Sequence, residues 1–337
     1  AKASITITNK IDLSNKMKIA FKQLNLPDNY NLKENLTDNI SFIFGPPGTG
    51  KTTRLADIII KRMTENVKQR ILVLAPTNTA CDELANKIIS KTEDAYTWLS
   101  RFVATSNENL EDIVIDRESC KYNDPRRCII STMARLCFEG FNSDNGFHSL
   151  RDINWDIIIC DEASMIPLAE ITHTIYNFKN TPILIAGDPM QIKPIVSEIE
   201  WKDENIYSMI KLDRFDNPRT EPIQFYIENL NTQYRSLPPI GNLFSKYAYN
   251  GMLKNHRSML FAPKINFGKL ELKPVNFIPF KVDKYDSVFG AKKLDGSNVH
   301  IYSVLLVVET CRYIAKKYGE KYVEDFTIGV ICPYASQ

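Results

Sequence analysis

Two short stretches of this sequence hold residue types suited to phosphate chemistry. The first is Gly45-Pro46-Pro47-Gly48-Thr49-Gly50-Lys51-Thr52-Thr53. It follows an apolar run, Ile40 to Phe44, and precedes Leu55, Ile58, Ile59 and Met63 at helical spacing. This order of strand, glycine turn, Lys-Thr and helix fits the phosphate-loop pattern G-x-x-x-x-G-K-[ST]. Glycines let the backbone curl so that successive N–H groups face one anion, and the positive end of the helix favours the same charge. In such a loop Lys51 reaches the β- and γ-phosphates of a nucleotide and the Thr52 hydroxyl holds Mg2+. The second stretch is Asp161-Glu162, directly after Ile157-Ile158-Ile159-Cys160. An unbroken apolar run indicates a central strand buried on both faces. Two carboxylates at its tip are costly unless they meet a cation or a reacting group. Beside a phosphate loop, Asp161 is expected to hold Mg2+ and Glu162 to orient or deprotonate an attacking water. Alone, one stretch reads as a glycine turn and the other as a solvated acidic turn. Together they point to a nucleotide.

Other candidates sit where further apolar runs end. Gln191 lies in the segment after Ile183 to Ala186, where a neutral amide senses a γ-phosphate without neutralising it; a turn on Asp188-Pro189 is the plainer alternative. Pro76 stops the run Ile71 to Ala75. Thr77 and Asn78 then act as a helix cap, or as ligand contacts at a sheet's carboxyl edge. Ser131-Thr132 close the run that starts at Cys128. In Asn231-Thr232-Gln233-Tyr234-Arg235-Ser236, a guanidinium suits γ-phosphate charge and a tyrosine suits a base, although in isolation this is a capped loop.

These residues need a scaffold, and the pattern supplies one. Five apolar runs alternate with helical patterns up to about residue 195. That predicts an α/β fold, a doubly wound parallel sheet with its ligand at the strand tips. Residues 1–39 read as a polar lead-in with one short helix at Met17 to Leu24. Residues 91–127 are mixed with a charged loop, 133–138 could begin a short helix, 141–149 read as a polar loop, and 197–222 as a solvated connection and boundary. The first domain is therefore placed at 40–225 and a second at 226–337. Helices are expected over 240–249 and 301–317, the latter with Ile301, Val304, Leu305 and Val308 on one face. A final strand over 327–332 runs into Pro333-Tyr334, so the second domain is expected to be incomplete at Gln337.

The chain has 337 residues, 44% hydrophobic and 24% charged, with a net charge of +2, too mild to argue for or against nucleic acid. Seven cysteines without a C-x-x-C pair suggest reduced thiols in a cytosolic (or nuclear) protein. The set Cys120, Cys128, Cys137 and His148 fits no zinc spacing, and Cys128 is expected as a small core residue. No apolar run approaches the ~18 residues of a membrane span.

In this order the motifs resemble a superfamily 1 helicase, of the branch that contains the nonsense-mediated-decay RNA helicase. The resemblance runs over 40–337: GPPGTGKTT (45–53), APTNTACDEL (75–84), CIISTMARL (128–136), IIICDEAS (157–164), LIAGDPMQIKPI (184–195), LNTQYRSLPPIGNLFSKYAYNGML (230–253) and IGVICPYASQ (328–337). It implies RecA-like domains of P-loop NTPase type, ATP with Mg2+, and 5′ to 3′ movement along single-stranded DNA or RNA. The phosphate contacts implied are Lys51, Thr52, Gln191 and Arg235, with Asp161 on Mg2+, Glu162 on water and Tyr234 near the base. Thr77, Asn78, Ser131, Thr132, Pro333 and Tyr334 are implied to lie toward the nucleic-acid strand. The pattern departs from the family in two places. Gln23 is poorly placed for reading adenine, and Ile192-Lys193-Pro194 puts a positive charge near the strand path. Motifs beyond the PYxxQ segment, including an arginine that completes the site, do not occur in this sequence, so a chain ending at Gln337 is expected to bind nucleotide and hydrolyse it poorly. The competing expectations are a nucleic-acid-stimulated ATPase switch inside a larger nuclease or defence complex, with further domains or subunits, and a small-molecule P-loop kinase, disfavoured by the second domain.

Overall fold

A computed structural model describes residues 39–66, 68–102, 105, 107–115, 127–136, 138, 140–143, 146–196, 204–210, 212, 225–261, 265–267, 270–279, 290–294, 296–318 and 327–334. The expected lead-in helix at Met17 to Leu24 and residue Gln23 lie outside these. Two compact units are present, Ala1–Arg257 and Ser258–Gln337.

The first unit is built on one sheet. Its strands in chain order are β1 (Ile40–Phe44), β2 (Ile71–Ala75), β3 (Leu99–Phe102), β4 (Val114–Ile115), β5 (Cys128–Thr132), β6 (Ile157–Cys160), β7 (Ile183–Gly187) and β8 (Tyr226–Asn229). They pair in the order β8-β1-β7-β6-β2-β5-β3-β4, and each pairing is parallel. Helices cover both faces, as a parallel sheet requires. Helices α1 (Lys51–Glu65) and α2 (Asn78–Ile89) put Leu55, Ile59, Leu84 and Ile88 against Ile43, Val73 and Ile159. On the other face α3 (Leu168–Asn177) sets Leu168, Ile171 and Ile175 against Phe42, Leu72 and Ile158. The doubly wound α/β expectation is therefore met, and the five strands predicted up to residue 195 are all present.

Several expectations change. Strands β3 and β4 form in the stretch read as mixed, because a buried ion pair lets Arg101 enter the core. Residues 140–143 and 146–149 form an antiparallel hairpin in place of a polar loop, and 133–135 make one 3-10 turn. The connection read as solvated surface contains Ile206, Tyr207, Met209 and Leu212, all buried in the core. Its capped turn turns these apolar side chains inward while the charged neighbours supply the polar composition. Finally, the second domain is expected to open at residue 226, yet residues 226–229 form β8, which hydrogen-bonds along β1 and completes the first unit's sheet edge. The compact unit continues through β9 (Thr232–Gln233), α4 (Pro238–Ala248) and β10 (Lys254–Asn255). Helix α4 ends at Asn250-Gly251, both at positive φ, as its sequence implies.

The second unit holds two short antiparallel hairpins, 265–267 with 270–272 and 292–294 with 297–299, and helix α5 (Ile301–Tyr318). Ile301 and Leu305 of α5 are each 54% exposed, so its expected apolar face is not covered by the described residues of this unit. Residues 327–332 are not in a strand; they are exposed and make no ladder among the described residues, which corrects the strand expected there. An apolar run becomes a strand only where a neighbouring strand accepts its hydrogen bonds. No helix among the described residues is long and apolar enough to cross a membrane.

Candidate active site

The tips of β1, β6 and β7 converge. The phosphate loop leaves β1 with the Gly45 N–H donating to the Gly187 carbonyl at 3.0 Å, which ties it to the end of β7. Thr49 is buried, its hydroxyl donating to the Pro46 carbonyl at 2.8 Å, while Pro46 is buried and Pro47 half-buried. Gly48 and Gly50 take positive φ, 76° and 84°. At Gly48 the need for glycine is double: a Cβ there would lie 2.6 Å from the Arg235 Cβ. The Tyr234 N–H donates to the Gly48 carbonyl at 2.8 Å. The loop and the Tyr234-Arg235 segment, distant in sequence, are thus in direct contact.

Lys51 opens α1 and is buried, with Nζ 2.7 Å from Glu162 Oε1 and 3.9 Å from Asp161 Oδ1. Thr52 and Thr53 follow, half-buried on the first turn. Asp161 is almost fully buried. Burial pushes its carboxyl up to about 6; Lys51 opposes this and Glu162 adds to it. The Glu162 N–H donates to Asp161 Oδ1 at 2.8 Å. Glu162 itself sits in the left-handed region, φ 49°, a conformation that costs a non-glycine residue about 1–2 kcal/mol. Its Oε2 is buried and has no hydrogen-bond partner among the described residues.

Gln191 is half-buried, beside Asp188: its N–H donates to the Asp188 carbonyl at 3.0 Å and its side chain hydrogen-bonds the Asp188 carboxyl. Asp188 is read from sequence as a turn residue, yet it is fully buried. Burial pushes its carboxyl up, while the Tyr249 hydroxyl at 2.5 Å and the Met190 N–H at 3.0 Å donate to it and oppose the shift. Tyr249 follows α4, so this bond anchors the segment that carries Arg235. A second brace is Gln233, fully buried, whose amide donates to the Ser236 carbonyl and Asn255 Oδ1 and accepts from the Ser236 N–H at 2.8, 2.6 and 2.7 Å. Tyr234 and Arg235 are exposed beyond this brace; the Tyr234 ring packs at a tilt against His256, ring centres 4.7 Å apart. Asp188, Gln233 and Tyr249 lie within the motif segments but are assigned no bracing role there; only their tertiary partners reveal it.

Further along the same sheet edge lie the tips of β2, β5 and β3. Thr77 caps α2, accepting from the Ala80 N–H at 3.2 Å, and is exposed. Asn78 is exposed too, but its Oδ1 accepts from Arg101 Nη2 at 2.8 Å. Arg101 is 0% exposed. Its Nε donates to Asp82 Oδ1 at 2.8 Å and its Nη1 to the Phe102 carbonyl at 2.8 Å. Thr105 donates to the other Asp82 oxygen at 2.8 Å. Thr132 is half-buried at the tip of β5. Ser131, expected toward a nucleic-acid strand, is instead fully buried: alternate strand residues point to opposite faces, and Ser131 lies one step inside the tip. Pro333 and Tyr334 lie in the second unit and are exposed.

This constellation of phosphate loop, paired acids and strand-tip amide on a parallel sheet defines a P-loop NTPase. The AAA domain family matches residues 29–197, half of the chain, and the chain belongs to it. A second AAA domain match covers residues 215–337. Among curated relatives, the putative helicase mov-10-B.2 of Danio rerio is 25% identical over 320 residues, 88% of this chain and 31% of its own. The ATP-dependent helicase NAM7 of Saccharomyces cerevisiae is 25% identical over 350 residues, 94% of this chain and 34% of its own. The RecBCD enzyme subunit RecD of Buchnera aphidicola is 31% identical over 166 residues, 48% of this chain and 24% of its own. The domains are of the superfamily 1 helicase type, as the motif order implies. The chain spans about a third of the length of the first and second of these relatives.

Proposed function

We propose that this chain is the ATP-binding part of a nucleic-acid helicase or translocase that hydrolyses ATP to move along single-stranded DNA or RNA, 5′ to 3′. The observation that carries this reading is Lys51 paired with Glu162 at 2.7 Å beside buried Asp161, with Arg235 packed on the Gly48 turn. The donor set suits Mg2+: a hydroxyl at Thr52 and a carboxylate at Asp161, both hard oxygen ligands. Mg2+, when bound, neutralises phosphate oxygens. The chain's own groups do the rest. The N–H groups of Gly48 and of residues 50 to 53 cradle the phosphates, and Lys51 exchanges Glu162 for them. That releases Glu162 to take a proton from the attacking water. Gln191 and Arg235 contact the γ-phosphate, and Tyr234 lies near the base. Thr77, Asn78 and Thr132 line the path of the nucleic acid; Pro333 and Tyr334 are further candidate contacts to it, and the second unit we read as part of a second RecA-like domain. Arg101 supports the Asn78 assignment: by occupying the amide oxygen it leaves the NH2 outward, the donor a phosphate accepts.

The test is ATP hydrolysis by the full-length gene product without polynucleotide, with single-stranded DNA and with single-stranded RNA, using Lys51→Ala as the blank. Strong stimulation by one polymer identifies its track. Hydrolysis that no polymer stimulates, or none above the blank, sinks the translocase reading.

A further inference from the structure

Tyr207 is a catalytic-site neighbour that the mechanism above leaves unused. It lies in the turn Ile206–Met209, opened by Asn205, whose side chain accepts from the Tyr207 and Ser208 N–H groups at 3.0 Å each. Ser208 Oγ in turn accepts from the Asn205 N–H at 3.0 Å, closing a capping box. The ring is therefore held in one place. It packs edge-on to Phe44 with centres 5.5 Å apart and against Phe42 at 6.1 Å. It is fully buried, and its hydroxyl has no hydrogen-bond partner among the described residues. Leaving a buried hydroxyl unpaired is destabilising, and phenylalanine would fill the same space without that cost.

The hydroxyl lies beside the acidic turn. A Cβ at Gly187 would sit 2.6 Å from Tyr207 Oη, 3.0 Å from the Ala163 nitrogen and 3.4 Å from the Ser164 nitrogen. The notch that glycine leaves at the tip of β7 thus opens the hydroxyl toward the residues just after Glu162. Two more buried oxygens of that turn are unpartnered among the described residues, Glu162 Oε2 and Ser164 Oγ. Burial, with the negative charge of Asp188, Asp161 and Glu162, keeps the phenol protonated, so it is available as a donor. The strained turn at Glu162 thus holds unpaired oxygens beside an unpaired donor.

We propose that Tyr207 is a positioning residue for Glu162: its hydroxyl donates to the acidic turn, directly or through one water, once phosphate draws Lys51 away, and so holds the carboxylate toward the attacking water. This rests on the ATP-hydrolysis reading. The test is Tyr207→Phe in the full-length protein. One neutral hydrogen bond, about 1 kcal/mol, corresponds to a kcat lower by about fivefold to tenfold. The KM for ATP should stay within about twofold, since the ground-state contacts to phosphate are untouched. The melting temperature of the nucleotide-free variant should be equal or higher, because an unpaired polar atom has been removed. Unchanged kcat would overturn the proposal. So would a kcat loss matched by a fall of several degrees in melting temperature, which would make Tyr207 a packing residue. Wild-type protein with no hydrolysis above the Lys51→Ala blank would remove the ATP-hydrolysis reading, and this proposal with it.

Discussion

One sheet edge carries two buried ion clusters, and they are built differently. At the tips of β2, β3 and β5, each nitrogen of the Arg101 guanidinium has an acceptor, and both oxygens of Asp82 have donors. At the tips of β1, β6 and β7, Lys51 is shared between two carboxylates, Glu162 is strained, and the Glu162 Oε2 and Tyr207 hydroxyl are unpaired among the described residues. A closed network fixes shape, because its groups have nothing further to gain. An open one holds groups in reserve for a ligand at a cost in stability. The first cluster is scaffold and the second is chemistry, and each mutation below separates the two.

The largest effect is expected at the open cluster and in rate alone. Glu162→Gln keeps the shape of the side chain and removes the proposed base, so hydrolysis should fall by about 10²–10⁴-fold. Loss of the buried negative charge should leave Mg-ATP affinity equal or tighter. Steady-state hydrolysis with nucleotide titration checks both; a variant that still turns over within tenfold of wild type would remove Glu162 from the role of base.

The closed cluster should respond in stability. Arg101→Met leaves Asp82 buried without its ion-pair partner, a loss expected at about 3–5 kcal/mol. Chemical denaturation of the nucleotide-free protein measures it. A loss below about 1 kcal/mol would mean that water reaches Asp82 and that the network is not closed. Thr105→Val, which removes one neutral donor, should cost less, about 1–2 kcal/mol.

These two clusters were unequally legible in the sequence. The phosphate loop and Asp161-Glu162 can be read directly, because phosphate chemistry demands fixed types at short spacing beside an apolar strand. Arg101 cannot, since its partner Asp82 is 19 residues away and a charge inside Leu99–Phe102 hides the strand from any apolar count. Tyr207 was concealed for a related reason: its turn is a brief apolar segment between charged neighbours, read as surface. Asp188 and Gln233 look like turn residues, and only Tyr249 and Asn255 across the fold make them braces. Local chemistry is visible in sequence; tertiary satisfaction of buried charge is not.

Acidity offers a third separation. Burial holds the Asp161 carboxyl at about 6, above its ordinary 3.8. The folded state thus binds that proton more tightly than the unfolded chain. Metal-free protein should gain stability as pH falls from 7 through 6 toward 4, opposite in sign to a salt-bridged carboxylate with a depressed pKa. Asp161→Asn removes this dependence. The variant should melt above wild type at pH 7.5 by roughly 2–4 °C, about 1 kcal/mol, and the gap should close near pH 5. Melting curves across that range decide it. A gap that widens toward low pH would show that Lys51 outweighs burial and that the open cluster is a conventional ion pair.

The smallest effect is expected where the sheet edge meets solvent. Arg54, on the first turn of α1, makes a two-pronged contact with Glu228 of β8, Nε to Oε1 at 2.7 Å and Nη2 to Oε2 at 3.0 Å. The geometry is that of a strong pair, but the Arg54 side chain is 45% exposed. Water and salt should screen it to at most about 1 kcal/mol. The ladder between β8 and β1 stays intact without it, because those bonds are backbone. Arg54→Ala should therefore lower stability by about 0.5–1 kcal/mol in low salt, with the difference fading as ionic strength rises toward 1 M. A loss above about 2 kcal/mol that salt does not reduce would mean that the pair, and not the ladder, holds β8 in place. The distinction between closed and open clusters would then need a third kind, an exposed pair that acts as scaffold.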